Sequence, residues 1–330
     1  MHKHFRCLLT LTLSTCLQLQ AEPQNGNGPK KNGPVARSQG VILKQQAGRI
    51  DIQVDGKPFT TYYFEGYNKP VFFPLRSGSG TVVTRGYPIV PDVAGETKDH
   101  PHQKGLWFTH GDVNGADFWT ESGKTGKIVH RKFEAVKSDP KTGLLKSEND
   151  WLMPDGQVVL KEMREVKIHN QPGVRIMDFD LTLTAANGPV RFGDTKEGSF
   201  GIRLAEPFSE KQGGTMVNSR SGVGEKGCWG KSAEWVDYSA TFQGETLGVA
   251  IFDHPTSFRH PTHWHVRGYC LFAANPFGLH DFYAGKTKDG SHTLQKGESL
   301  RFRYRVYIHP GNAQDARIAR QYKVYANSKP

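Results

Sequence analysis

The sequence predicts an all-β protein: two large antiparallel sheets packed face to face as a sandwich, closed by one short C-terminal helix. From Val41 onward, short apolar alternations are separated by Gly, Asp, Asn and Pro, as in IDIQVDG, PFTTYYFEG and GTVVTRG, the pattern of strands and turns. The central segments VVLKEMREVKIH, GVRIMDFDLTLTA and PVRFGDTKEGSFGIRL keep a period of two over lengths that suit a twisted antiparallel sheet. In SLRFRYRVYIH, Leu300, Phe302, Tyr304, Val306 and Ile308 share one face, while Arg301, Arg303, Arg305, Tyr307 and His309 share the other. One face packs inward and the other meets solvent or ligand. Only the tail changes period: NAQDARIARQYKVYAN places Ile318, Tyr322 and Tyr325 at helical i, i+4, i+7 spacing after Pro310 and Gly311.

The 330 residues, 36% hydrophobic and 23% charged, have ordinary globular composition. Residues 1–21 read as a secretory signal, with Lys3 and Arg6 ahead of the apolar run Leu8 to Leu19 and a small residue, Ala21, at the cleavage point. That run is shorter than the ~20 residues that span a bilayer, so no transmembrane span is expected. The prediction is export to a periplasmic or extracellular space. LSTC, ending at Cys16, resembles a bacterial lipoprotein box, which leaves lipidation as an alternative. Residues 22–40, rich in Gly, Asn, Pro and Lys, read as a flexible linker, and residues 41–330 as a single β-sandwich domain. With Cys7 and Cys16 in the leader, only Cys228 and Cys270 remain, either paired or as buried thiols. The formal charge of +11 is scattered along the chain without a nucleic-acid motif, so no nucleic-acid partner is expected.

Eight of the fourteen histidines fall in two windows: His100, His102 and His110 in DHPHQKGLWFTHGD, and His254, His260, His263, His265 and His280 in the stretch from Phe252 to Asp281. Each window pairs histidine with Asp, Trp, Asn or a basic residue, the composition of a polar pocket floored by aromatics. A third stretch, GDTKEGSFGIRL, sets Asp194, Lys196 and Glu197 in a turn before a strand carrying Arg203. A carboxylate beside a lysine at a strand end suits proton abstraction. A fourth, NSRSGVGEKGCWGKSAEWVDYSA, offers Trp229, Trp235 and Tyr238 as core aromatics. The chain has no GxSxG elbow, no HExxH helix and no dinucleotide fingerprint in context, which removes serine hydrolase, zincin and Rossmann chemistries.

Together, DHPHQKGLWFTHGDVNGADFW, DTKEGSFGIRLA, GCWGKSAEWVDYS and FDHPTSFRHPTHWHVRGYCLFAANPFG resemble the DUF6807 family, often labelled PmoA or methane oxygenase, over roughly residues 41–326. Relatives commonly read His-His-Arg where this chain has His102, Gln103 and Lys104. The resemblance, with the two-sheet pattern, implies the supersandwich of galactose-mutarotase-like proteins.

The expected function is acid/base chemistry of the epimerase, mutarotase or lyase type on a sugar or oligosaccharide. Glu197 is the expected base and His110 or His265 the acid, with His102, Lys104, Trp107, Arg203, His263, Arg267 and Asn275 binding substrate and no cofactor required. One alternative is a non-haem iron or copper oxygenase using His110, Asp112 and His265 as ligands. Another is a glycan-binding module without catalysis.

Overall fold

Alternating side chains, with apolar residues on one face of each segment, give the chain its strands. A computed structural model describes residues 39–242 and 244–328. The strands are β1 (Val41–Gln46), β2 (Arg49–Val54), β3 (Lys57–Tyr63), β4 (Val71–Phe73), β5 (Leu106–His110), β6 (Lys127–Lys137), β7 (Thr142–Leu152), β8 (Val158–His169) and β9 (Arg175–Ala185). They continue with β10 (Val190–Phe192), β11 (Gly198–Arg203), β12 (Thr215–Asn218), β13 (Trp235–Phe242), β14 (Glu245–Asp253), β15 (Trp264–Val266), β16 (Leu271–Ala274), β17 (His292–Leu294) and β18 (Ser299–Pro310). Three short α-helices join them: α1 (Gly224–Cys228), α2 (Leu279–Phe282) and α3 (Ile318–Ala326). The expected leader, the lipoprotein-like Cys16 and the linker up to residue 38 lie outside the described residues.

Two eight-stranded sheets form the sandwich, one in the order β1-β2-β3-β4-β5-β11-β16-β15 and the other β12-β13-β14-β18-β9-β8-β7-β6; β10 and β17 form a separate pair. Neighbouring strands run antiparallel throughout. The described residues make one compact unit. No helix among the described residues is long and apolar enough to cross a membrane.

An aromatic seam joins the sheets. Phe200 of β11 stacks on Tyr304 of β18 with centroids 4.7 Å apart, Phe72 of β4 meets Phe179 of β9 edge-on at 5.6 Å, and Tyr238 of β13 meets Phe272 of β16 at 4.8 Å. Such pairs contribute about 0.5–1.5 kcal/mol each beyond the area they bury. The inward set expected on β18 is buried in this core. On its opposite face Arg301 and Arg305 pair with Asp180 and Asp178 of β9. Ile318 and Tyr325 of α3, flanked by Tyr322, cover Phe252 and Tyr307 beside them. Cys228 and Cys270 are free buried thiols, each pushed up to about 12 by burial.

One expected catalytic residue lies in this core. Phe108 and His110 project from β5 to the same side, and the His110 ring packs against the stacked pair Phe277 and Phe192, at 4.7 and 5.9 Å. Its Nε2 hydrogen-bonds the Gly193 carbonyl at 2.8 Å. His110, expected as an acid, thus has its ring in the interior.

Burial holds His110 down to about 4, against an ordinary 6.5. The unfolded chain takes up this proton near pH 6.5 and the folded chain only near pH 4, so stability falls as pH drops through that window. At pH 4, His110 should cost the fold about 3 kcal/mol relative to pH 7. Urea unfolding of His110→Gln, which keeps an N–H for Gly193 but cannot titrate, should lose correspondingly less stability on acidification; identical pH dependence in the two proteins would refute this.

Candidate functional site

The pairing of β5, β11, β16 and β15 decides which side chains leave the core. Phe108, Phe200, Ile202, Phe272 and Trp264 point into the sandwich. Their alternate neighbours Trp107, Gly201, Arg203, Leu271, Ala273 and His265 consequently face outward, in register: Trp107 opposite Gly201, Gly201 opposite Ala273, Ala273 opposite His265. Trp107 lies across the sheet and touches Trp119, with centroids 5.4 Å apart. Only a glycine allows this at 201, since a Cβ there would stand 2.7 Å from Trp107 Cζ2. Gly105 turns the chain into β5 at φ +55°, where a side chain would strike the Phe72 carbonyl at 2.2 Å.

At one end of this outer face, the turn before β11 presents the carboxylate. Asn275, fully buried, donates to the carbonyls of Thr195 and Lys196, each at 2.9 Å. Asp281 accepts from Lys196 N at 2.9 Å, and Asp194 accepts from His280 N. Held there, Lys196 Nζ pairs with Glu197 Oε1 at 3.0 Å. Burial pushes His265 down to about 3, with Arg267 and Lys196 adding to the effect against the backbone of Lys196, so the imidazole is neutral at neutral pH. Its Nδ1 has no hydrogen-bond partner. Arg267 pairs with Glu225 at 2.9 Å and lies over the rings of Trp229 and Tyr269, at 5.9 and 5.8 Å. Burial raises the Tyr269 phenol, Arg203 and Arg267 oppose this, and Glu197 adds to it. His263 hydrogen-bonds the Tyr283 hydroxyl at 3.2 Å and stacks near Phe282.

The other end is built from the loop leading into β5. His100 stacks on Tyr269 at 5.4 Å and meets His102 edge-on at 5.8 Å. Lys104 and Lys69 both bind Glu121, the latter at 2.8 Å, and Lys104 lies over Tyr67. Burial pushes the Glu121 carboxyl up, but the two lysines outweigh it and hold it below its ordinary range. Burial and Lys69 bring His102 down to about 4. Gln103 and Asp99 hold the Arg203 guanidinium against Tyr269, whose ring centre is 4.7 Å away.

Of the expected residues, Glu197, His265, Arg267, Arg203, Trp107, His102, Lys104 and His263 thus gather on or beside one face. Asn275 sits beneath the turn as a support for it. The alternative metal set is not assembled, because His110 faces inward, His265 outward, and Asp112 accepts from Gly115 N beside Arg191. Among the described residues, no group of three His, Cys, Asp or Glu side chains is arranged to hold a metal. Sequence reasoning gave no role to Lys69, Glu121, Asp99 or Tyr269; Trp229, expected in the core, packs against it partly buried. Asp99 and Tyr269 lie inside the quoted motifs and Glu121 two residues past the FW of the first, so position in or beside the motifs was the signal for these three.

Gly201→Val should drive Trp107 off the sheet, lowering stability by about 1–3 kcal/mol and altering the near-ultraviolet circular dichroism of the Trp107–Trp119 pair. An unchanged spectrum and unfolding midpoint would contradict the close approach.

None of the curated proteins matches the chain in sequence. Among solved structures it is similar to the GH36 α-galactosidase AgaB from Geobacillus stearothermophilus, with 9% identity, covering 82% of this chain and 41% of that one, at a TM-score of 0.44. It is also similar to a putative aldose 1-epimerase from Escherichia coli K12, with 9% identity, covering 82% of this chain and 99% of that one, at a TM-score of 0.35. The chain spans about two fifths of the length of the α-galactosidase. Residues 49–323 match the sequence profile of the family of unknown function DUF6807, and the chain belongs to that family.

Proposed function

We propose that the outer face of the first sheet is an acid/base site acting on a sugar or oligosaccharide, with chemistry of the epimerase, mutarotase or lyase type. The observation that carries this reading is Lys196. It pairs with Glu197 and also stands among the charges that act on His265, so a carboxylate and a neutral imidazole share one neighbourhood.

Glu197 takes the proton from the sugar. His265, neutral and with a free Nδ1, holds the sugar oxygen where charge changes, and Tyr269, kept protonated by burial, is the neighbouring O–H donor. Arg203, Arg267 and His263 bind polar groups, and the half-buried ring of Tyr269 supplies an aromatic surface for a sugar ring, Trp107 and Trp119 being buried. The two ends of the face meet at Tyr269 and His100, which makes room for more than one sugar unit. Asn275 and Asp281 act on the chemistry only through the turn they hold.

Glu197→Gln should lower kcat by at least about a hundredfold while sugar affinity stays within a few-fold, measured on a panel of mono- and oligosaccharides by nuclear magnetic resonance of the products. Activity that survives would sink Glu197 as the base, and sugar binding without any product would make the chain a glycan-binding module.

The pH–rate profile should show no inflection near 6.5 from the site histidines. His102 and His265 are depressed to about 4 and about 3, hence neutral above pH 5. A limb at pH 6–7 that disappears in His265→Gln would contradict the neutral imidazole.

A further inference from the structure

We propose that the site selects a sugar carrying an anionic substituent, a carboxylate or a sulfate ester, through the cations beside His100 and His102; this rests on the reading of the outer face as a sugar site. On this part of the face, two cations share one carboxylate, twice over. Lys69 and Lys104 share Glu121, and Arg85 and Arg203 share Asp99. The four cationic side chains are 1%, 10%, 0% and 1% exposed, respectively.

The two groups are neighbours, because Arg203 N donates to the Gly105 carbonyl at 2.9 Å and Gln103, between His102 and Lys104, holds the Arg203 guanidinium. Two further carboxylates stand near. Glu96 accepts from the backbone N–H groups of Gly86 and Tyr87, and Asp117 from those of Trp119 and Thr120 and from the Thr120 hydroxyl. Neither forms an ion pair with the four cations. His100 adds a third contact to Asp99 at 3.0 Å.

Withdrawing four cations from water against two paired carboxylates is costly, and an arriving anion offsets that cost. A second observation points the same way. The indole N–H groups of Trp107 and Trp119, the latter ring 6.3 Å from that of His102, have no acceptor, and neither does Arg203 Nε. The region is therefore richer in donors and positive charge than in acceptors. A neutral sugar hydroxyl needs both kinds of partner, whereas a carboxylate or sulfate only accepts. Lys104 is the least buried of the four cations and is the one placed to meet the anion directly.

The test is calorimetric titration of the purified chain with two matched pairs: oligogalacturonate against its methyl ester, and a sulfated galactan oligosaccharide against its desulfated form. At least one acidic member should bind about tenfold tighter than its neutral partner, with an advantage that shrinks as salt is raised. Lys104→Met should bring that pair close to parity by weakening the acidic member more than the neutral one; should this variant not fold, the salt dependence of the unmodified protein decides. The carboxylate and sulfate arms tell which anion is read. Equal binding within both pairs, a preference insensitive to salt, or no binding of any of the four sugars overturns the proposal. Glu197→Gln with the same sugars separates the two readings. Turnover surviving in it removes the assigned base and leaves anion selection standing, whereas an inactive variant without acidic preference removes only the selection.

Discussion

Phe200 stacks on Tyr304 across the two sheets, 4.7 Å between ring centres, and that contact commits the whole of β11. Once Phe200 and Ile202 are inside, Gly201 and Arg203 face outward, because successive residues of a strand alternate sides. Register carries the commitment sideways: β5 must turn out Trp107, and β16 and β15 must turn out Ala273 and His265. A slip of one residue would bury Arg203 among phenylalanines and expose the seam. The candidate site is in this sense the reverse side of the core.

The same alternation keeps the polar groups rigid. Strands and short, pinned turns hold the functional side chains, and few of those side chains are free to swing. Asn275 and Asp281 tie down the turn bearing Glu197, while Gln103 and Asp99 tie down Arg203. Burial then settles protonation of the imidazoles, leaving His265 and His102 neutral. Buried indoles, a neutral imidazole, a half-buried carboxylate beside a lysine and a group of guarded cations thereby lie along one side of the sheet.

Much of the fold was legible because its signal is periodic. The inward set of β18 and the Ile318, Tyr322, Tyr325 stripe of α3 followed directly from spacing. The turn carrying Lys196 and Glu197 was legible too, since charged residues between Gly193 and Gly198 have no place in a strand interior. The inward side taken by His110 was not legible, for a physical reason. β5 is buried on both faces, so polarity does not mark which side a residue takes, and a histidine among aromatics resembles a ligand whether it looks in or out. Parity held the answer, because Trp107 and His110 are three apart and cannot share a face of one strand. Lys69 and Glu121 were invisible for another reason: they meet across some fifty residues, and neither carries a local pattern.

The central claim is that the outward side of β5, β11, β16 and β15 is where a sugar binds. A crystal structure of the Glu197→Gln chain with an acidic oligosaccharide addresses it most directly. The account predicts a sugar ring against Tyr269, an oxygen beside His265 and an anionic substituent at Lys104. A sugar seated elsewhere, whether against the charged pairs of β18 and β9 or in the cleft lined by Arg191 and Lys288, would contradict it.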